Sequence, residues 1–341
     1  RDYARAMEIV LAGRNEYPTS TGLLKRYGLL IAAAGDPAMR DPKQAVEFAE
    51  MLHGALERSG LVDIEMMEVL AASYAAVGRY EDAVKAARKE GKAHIVGFDE
   101  DENTLLGIKD GHIHGTVVQQ PFLFGYESVK LMTQLIKDPK TPLPPNGVKH
   151  VPHLVIKKDN VEEFHQKLKE QKAAGAQAAP PPAGDDRIKV GFVSNNEAEF
   201  WTIAEAGTRK AAEELGVEVL FRRPKQPTAA AQKEIIEDLL NRGVQAIAIS
   251  VIDPVNQKDY LNQIADRVPL ITQDNDAPDT RRKCYIGTDN YEAGKAVGKL
   301  VKEVMPDGGT IAIFVGQPDP LNAQQRRQGV LDELAGQKDA S

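Results

Sequence analysis

Between residues 187 and 289, short apolar runs alternate with amphipathic segments, beginning with the sequence IKVGFVSNNEAEFW. Each unit has the pattern of a strand, a loop and a helix, with polar or aromatic residues where the strand ends. Alternation at this spacing implies right-handed crossovers and a parallel sheet covered on both faces. In an open sheet of this kind, ligands bind at the carboxyl ends of the strands.

The same pattern predicts the individual elements of this part of the chain. Strands are expected at residues 188–194, 217–221, 246–251, 269–273, 285–287 and 310–316. Helices are expected between most of them, beginning near Glu199, Thr228, Pro254, Tyr291 and Asn322. No strand follows the last helix, which contains QGVLDELAG.

The first 92 residues have a helical pattern and no convincing strand. Breaks near residues 17–18, 35–37, 59–60 and 78–79 divide this region into about five helices. The hairpin MEVLAASYAAVGRYEDAVKAARKE resembles a tetratricopeptide repeat, and DPKQAVEFAEMLHGALERSG resembles a weaker copy. Such repeats imply either a surface for a protein partner or a solvated helical spacer.

Strands and helices alternate again after residue 92. HIVGFDE and HGTVVQQP are predicted strands, while ENTLLGIKDG, FGYESVKLMTQLIK and VEEFHQKLKEQK are predicted helices. The sequence AAGAQAAPPPAGDD then has the composition of a linker. We therefore expect a helical region at 1–92, an α/β portion at 93–170, a linker at 171–186 and a second α/β portion at 187–341.

Composition excludes several classes of protein. The net charge of -7 lacks the basic footprint that duplex nucleic acid requires, so no nucleic-acid partner is expected. The single cysteine, Cys284, excludes an internal disulfide and a cysteine metal cluster. No run approaches the roughly 18 to 20 apolar residues of a membrane helix. No signal peptide is visible, and the opening RDYARAM leads us to expect a truncated amino terminus.

Several separate motifs resemble periplasmic sugar-binding proteins of the ribose and galactose type, the substrate receptors of ABC transporters. They are IKVGFVSNN..EFW, LITQDNDAP, YIGTDNYEAGKAVG and NAQQRRQG in one part, and IVGFDEDENTLLGI and GTVVQQP in the other. The resemblance implies the type 1 periplasmic-binding fold, in which two three-layer α/β lobes close on a sugar. It further implies binding of a pentose or hexose without catalysis or cofactor, an ABC-transporter permease as partner, and a periplasmic or extracytoplasmic location.

The order of these motifs departs from the family. There, the IKVGFVSNN segment comes first and IVGFDE comes late, whereas here the late segment precedes the early one. A circular permutation, two partial copies read through, or an artificial fusion would each produce this order. The family also has strands and helices between NAQQRRQG and IVGFDE that find no counterpart here. We therefore expect the second lobe to be incomplete.

The resemblance also implies site residues, position by position. Sugar hydroxyls need planar bidentate groups, and the flat faces of the ring need aromatic side chains. The implied aromatic residues are Phe200 and Trp201, and the carboxylate after the fourth strand is Asp274. The first-loop position falls on Asn195, Asn196 or Ala198, because the NNEAEF stretch allows each of these registers. The remaining positions fall on Asn275, where some family members have arginine, and on Arg326, Asp99 and Gln119.

Each of these residues also has a purely structural interpretation. Phe200 and Trp201 can start a helix and pack on the sheet. Asp274 can form a turn, and Asp99 can cap a helix. Arg326 can be a solvated surface side chain, and Gln119 can bond loop backbone. Their joint position favours function, because all but Arg326 stand at predicted strand ends.

Other classes of function have weaker support. His112 and His114 alternate along a strand start but lack a third metal ligand of matching spacing. The glycines of NYEAGKAVGKLV fit helix packing better than phosphate binding, and no nucleophile motif follows a strand. An enzyme is therefore not expected. The alternative to a sugar receptor is a tetratricopeptide scaffold with a vestigial α/β portion. A transcription regulator ranks below it, because no helix-turn-helix pattern is visible.

Overall fold

The computed structural model describes residues 3–17, 20–33, 41–59, 63–77, 79–86, 93–177, 187–315 and 321–336. They divide into two compact units. The first comprises Arg1–Ile95 and Asp101–Ile113, and the second comprises Val96–Glu100 and His114–Ser341.

Helices make up the regular structure described in the first unit. They are α1 (Tyr3–Glu16), α2 (Thr21–Ala33), α3 (Pro42–Arg58), α4 (Ile64–Ala76), α5 (Tyr80–Ala86) and α6 (Glu102–Asp110). Asp41 and Asp63 cap α3 and α4 by accepting hydrogen bonds from backbone N–H groups. The five helices expected before residue 92 are confirmed. The predicted break at 35–37 lies outside the described residues, and the tetratricopeptide resemblance stays a prediction.

A six-stranded parallel sheet dominates the second unit. Its strands, in spatial order, are β3 (Val148–His150), β9 (Cys284–Gly287), β8 (Leu270–Gln273), β7 (Ala246–Ile249), β5 (Lys189–Val193) and β6 (Glu218–Arg222). All five pairings are parallel, as the strand–helix alternation predicts. Because helices cover both faces, strands such as β7 are buried along their whole length.

The helices of this sheet form two layers. One layer is α7 (Pro121–Lys137) and α9 (Phe200–Leu215), whose apolar residues share a core with Phe192, Ala246 and Ala248. The other is α10 (Ala229–Asn241) and α11 (Lys258–Arg267), which pack on Ile247 and Ile249. Successive residues of β7 therefore face opposite layers. Helix α8 (Val161–Gln177) packs on α9.

A smaller sheet forms the rest of this unit. Its order is β1 (Val96–Phe98), β2 (Gly115–Val118) and β4 (Leu154–Lys157), with β1 parallel to β2 and β4 antiparallel to it. Helix α12 (Asn290–Val304) packs on β1 and β2 and against α13 (Leu321–Ala335). A short 3-10 turn at Pro145–Gly147 precedes β3.

The strand predicted at residues 310–316 is wrong. Residues 310–315 have no regular structure, and Gly316 lies outside the described residues. The side chains of this stretch are exposed, with Phe314 at 80%. A strand needs a neighbour to complete its backbone hydrogen bonds. The two sheets described here pair none of their strands with this stretch.

Two smaller differences concern helix boundaries. Helix α8 ends at Gln177, inside the segment predicted as linker, because alanine is the strongest helix former. Helix α11 begins at Lys258 rather than near Pro254, where a turn precedes it. None of the helices in the described ranges is long and apolar enough to cross a membrane.

Candidate functional site

The ends of β1 and β2 bring Asp99 and Gln119 together. Asp99 follows β1 with a φ of 71°, a conformation that residues other than glycine seldom adopt. Its backbone N–H donates to the carbonyl of Val117, and its own carbonyl accepts from Thr116 Oγ1. Gln119 Nε2 donates to Asp99 Oδ1 over 3.0 Å. Backbone and side-chain contacts thus both fix the Asp99 carboxylate.

Asp274 is held in the same way at the end of β8. It has a φ of 61°, and Tyr285 donates a hydrogen bond from its hydroxyl to the Asp274 carbonyl. Ser250, directly after β7, donates to Asp274 Oδ2 over 2.8 Å. Asn195, after β5, places its Nδ2 3.4 Å from the same oxygen. Three neighbouring strands therefore contribute polar groups to one edge of the large sheet.

Arg326 reaches this region from α13. Its Nε donates to Asn290 Oδ1 over 2.8 Å, and its guanidinium carbon lies 4.1 Å from the centre of the Phe98 ring. Helices α12 and α13 approach so closely that a Cβ on Gly294 would lie 2.1 Å from the carbonyl oxygen of Arg326. Close packing thus accounts for Gly294, as predicted from the sequence.

The two carboxyl groups and the guanidinium interact electrostatically, and we refer to Asp99, Asp274 and Arg326 as the charged cluster. Burial raises the pKa of Asp274 to about 6, against the lowering effects of Arg326 and of the hydrogen bond from Ser250. Burial also raises the pKa of Asp99, although Arg326 and Gln119 oppose it. One cation therefore faces two carboxyl groups that burial makes harder to ionise.

Several atoms around the cluster have unused hydrogen-bonding capacity. Among the residues that the structure describes, the buried atoms without a hydrogen-bond partner include Gln119 Oε1, Gln273 Oε1, Asn275 Oδ1, Thr288 Oγ1 and Arg326 Nη2. Buried polar groups are rarely left unpaired, because each costs about 1–3 kcal/mol. A ligand rich in hydroxyl groups could supply the missing partners.

The two aromatic candidates lie on the core side of the first loop. Trp201 is 1% exposed, packs against Phe192 and Phe200, and donates from Nε1 to the side-chain oxygens of Asn195 and Asn196. Phe200 is partly buried and packs against the core. These contacts match the packing interpretation of both rings. Their stacking against a sugar stays a prediction.

Asn275 follows Asp274 in the loop after β8. It is buried, and its Nδ2 donates to the carbonyl of Val251. Sequence reasoning missed three polar residues near it, namely Ser250, Thr288 and Asn290. Ser250 could have been found, because it directly follows the buried run 246–249. Thr288 and Asn290 carry only a weak signal in the sequence, as residues at a strand-to-helix junction.

His114, one of the two histidines weighed as metal ligands, contacts a glutamate. His114 Nε2 lies 2.8 Å from Glu303 Oε2, which Lys157 also contacts at 2.9 Å. Within the described ranges, no group of three or more histidine, cysteine, aspartate or glutamate residues could hold a metal ion.

A cavity of about 760 Å³ adjoins the charged cluster. Of the nine predicted site residues, Asp274 and Asn275 line it, and Asn290, the partner of Arg326, lines it as well. The cavity continues along the β3–β9 edge to Asn146, Asp276 and Arg282. Asp99, Gln119 and Arg326 are not among its lining residues. The predicted site and the cavity therefore share Asp274 and Asn275 but do not coincide.

The fold is an α/β protein whose parallel sheet has polar residues at its carboxyl edge, the place where open sheets of this kind bind ligands. The model of the periplasmic binding protein domain matches residues 29–140 and 190–340. The chain belongs to this family, which consists of binding proteins rather than enzymes.

Two curated proteins are similar to this chain at low sequence identity. The D-galactose/methyl-galactoside binding periplasmic protein MglB of Haemophilus influenzae is 25% identical over 169 residues, covering 45% of this chain and 50% of that protein. The ribose import binding protein RbsB of Bacillus subtilis is 24% identical over 164 residues, covering 47% and 53%. The chain spans about half the length of these relatives.

Solved structures show the same partial coverage. A solute binding protein of an ABC transporter from Burkholderia graminis, in complex with D-arabinose, is 29% identical with a TM-score of 0.43. The match covers 45% of this chain and 54% of that protein. GanP, a glucose-galactose binding protein from Geobacillus stearothermophilus, is 29% identical with a TM-score of 0.42. This match covers 44% of this chain and 55% of GanP.

Proposed function

We propose that this chain binds a pentose or hexose without catalysis, as the substrate receptor of an ABC transporter. The observation that carries the proposal is the charged cluster, in which Asp99 from the small sheet and Asp274 from the large sheet both interact with Arg326. The family, together with relatives named for galactose, methyl-galactoside and ribose, supports the choice of ligand class.

The chemistry of the cluster suits a neutral ligand with many hydroxyl groups. A carboxylate accepts two hydroxyl hydrogens, and a guanidinium donates to two oxygens in one plane. Gln119 and Asn275 add amide oxygens that have no partner within the described residues. A sugar would satisfy donors and acceptors together, whereas an apolar ligand would leave them unpaired.

The connections between the two sheets support closure around the ligand. The chain passes from the small sheet to the large one at residues 119–120, between β2 and α7, and crosses again at 151–153 and 288–289. Short connections of this kind let two packed bodies rotate as a hinge. We propose that closure brings the Asp99 side of the cluster onto a sugar bound at Asp274.

A receptor of this kind would act outside the cytoplasm and deliver its sugar to a membrane permease. Family membership supports the extracytoplasmic location and the permease partner.

A calorimetric screen of the refolded, monomeric protein with D-ribose, D-xylose, D-arabinose, D-galactose, D-glucose and D-fructose tests the proposal. We expect one or more sugars to bind and Asp274→Ala to weaken that binding by about 2–5 kcal/mol, because buried hydroxyls lose a charge-assisted partner. Asp259→Ala, at an exposed aspartate in the first turn of α11, is the matched control and should leave affinity unchanged. If none of these sugars binds, the proposal is contradicted.

A further inference from the structure

The cavity is larger than a single sugar ring requires. Its volume of about 760 Å³ falls in the range of roughly 300–1,000 Å³ that accommodates drug-sized ligands. Its inner end shares Asp274, Asn275 and Asn290 with the surroundings of the charged cluster, and its outer end lies beyond β9. A ligand bound at the cluster could therefore extend into the cavity.

The inner end has unsatisfied polar atoms. Asn275 and Thr288 are 2% and 1% exposed and line the cavity. The oxygen of the Asn275 amide and the Thr288 hydroxyl are buried without a partner among the described residues. An amide oxygen accepts a hydroxyl hydrogen, and a threonine hydroxyl can donate or accept. Both atoms match the hydroxyl groups of a sugar.

The outer end is built around a rigid, charge-neutral pair. Arg282 donates from Nε and Nη2 to the two carboxylate oxygens of Asp276, over 2.5 and 2.7 Å. Arg282 Nη1 also donates to the carbonyl of Gly147, and Thr272 Oγ1 donates to Asp276 Oδ1. Because the two charges compensate each other, the pair adds no net charge to this end of the cavity.

Exposed polar side chains also line the cavity. Asn146, Lys283 and Gln325 line the cavity from three different segments, the turn before β3, the loop before β9 and helix α13. They offer amide and ammonium donors for hydroxyl oxygens. Leu143 adds an apolar contact and is 38% exposed, so a larger side chain can be introduced there without displacing the core.

We propose that the cavity is a subsite for a second ring, so that the chain prefers a disaccharide or a glycoside to a free monosaccharide. The first ring binds at the charged cluster, and this inference rests on the proposed function. The second ring lies against Asn275 and Thr288 and extends toward the Asp276–Arg282 pair.

The test is calorimetry of the full chain with matched sugars: D-galactose against lactose and melibiose, D-glucose against maltose and cellobiose, and D-xylose against xylobiose. We expect at least one disaccharide to bind about tenfold or more tightly than its monosaccharide, because the added ring contacts a second set of polar groups. Leu143→Trp, which fills the cavity, should abolish this preference and leave monosaccharide affinity unchanged. Leu106→Trp, at a 42% exposed leucine of α6 that is not among the residues lining the cavity, is the control.

The outcomes separate the two proposals. If monosaccharides bind and no disaccharide binds more tightly, the subsite is wrong while sugar binding stands. If Leu143→Trp weakens monosaccharide and disaccharide equally, the second ring does not occupy this cavity and the subsite is again wrong. If none of these sugars binds, both proposals fail.

Discussion

The two sheets of the second unit differ in how many neighbouring strands and covering helices they have. The six-stranded sheet has helices on both faces, and each of its inner strands has two parallel neighbours. The three-stranded sheet has α12 packed on it, and within the described ranges β1 and β4 each have one neighbouring strand. After α12 in the sequence, residues 310–315 have an apolar strand pattern and form no strand. The difference teaches that an apolar run becomes a strand only where a neighbour completes its hydrogen bonds.

Substitution of two phenylalanines tests this comparison with the largest expected effect. Phe192 in β5 is fully buried and stacks on Phe221 at 4.8 Å, whereas Phe314 is 80% exposed. We expect Phe192→Ala to lower the free energy of unfolding by about 3–5 kcal/mol, and Phe314→Ala to change it by less than about 0.5 kcal/mol. Chemical denaturation measures both. A loss of several kcal/mol in Phe314→Ala would show that residues 310–315 are packed after all.

Titration of Asp274 gives the next largest effect. Its folded-state pKa is raised from 3.8 to about 6, so the stability it contributes is fully present below pH 3.8 and is lost as the pH rises through 6. Asp274→Asn keeps a neutral side chain and removes this titration. We expect the variant to gain roughly 3 kcal/mol relative to the wild type between pH 4 and pH 7, at about 1.4 kcal/mol per pKa unit. Denaturation without ligand at each pH measures the difference. If the difference in stability between the variant and the wild type did not change with pH, Asp274 would be solvated.

The helix crossing beside the small sheet gives a smaller effect on binding. A Cβ on Gly294 would lie 2.1 Å from the Arg326 carbonyl, so Gly294→Ala must displace α13 and with it the guanidinium. We expect a loss of about tenfold in sugar affinity, measured by calorimetry.

Gly22→Ala is the control for this prediction. A Cβ on Gly22 in α2 meets no atom within 4 Å, so the change should raise stability by roughly 0.5–1 kcal/mol and leave affinity unchanged. Equal affinity of Gly294→Ala and the wild type would show that the placement of Arg326 tolerates the shift.

The large sheet was predictable from the sequence alone. Its apolar runs are short, regularly spaced and separated by amphipathic segments, so periodicity identified five of its six strands to within two residues at either end. The three-residue strand β3 was not predicted. The run at 310–316 has the same local pattern. What differs is that none of the strands in the described part of the chain pairs with it, and pairing depends on other segments of the chain.

The site was predictable where it depends on strand ends. Asp99, Gln119 and Asp274 directly follow strands or stand one residue beyond them, so their position along the sequence located them. The hydrogen bonds from Ser250 to Asp274 and from Arg326 to Asn290 depend on register and helix packing, which single-residue patterns do not specify. The cavity depends on loop conformations, including φ angles of 58° at Asn146 and 61° at Gly147.

The central claim is that both sheets contribute to one sugar site, and calorimetry of Asp99→Ala and Asp274→Ala with the best-binding sugar tests it most directly. Because Asp99 follows β1 of the small sheet and Asp274 follows β8 of the large one, we expect each variant to weaken binding by about 2–5 kcal/mol. The double variant should lose less than the sum of the two, because both carboxylates hold the same ligand. A strong loss in Asp274→Ala with unchanged affinity in Asp99→Ala would contradict the claim and confine binding to the large sheet.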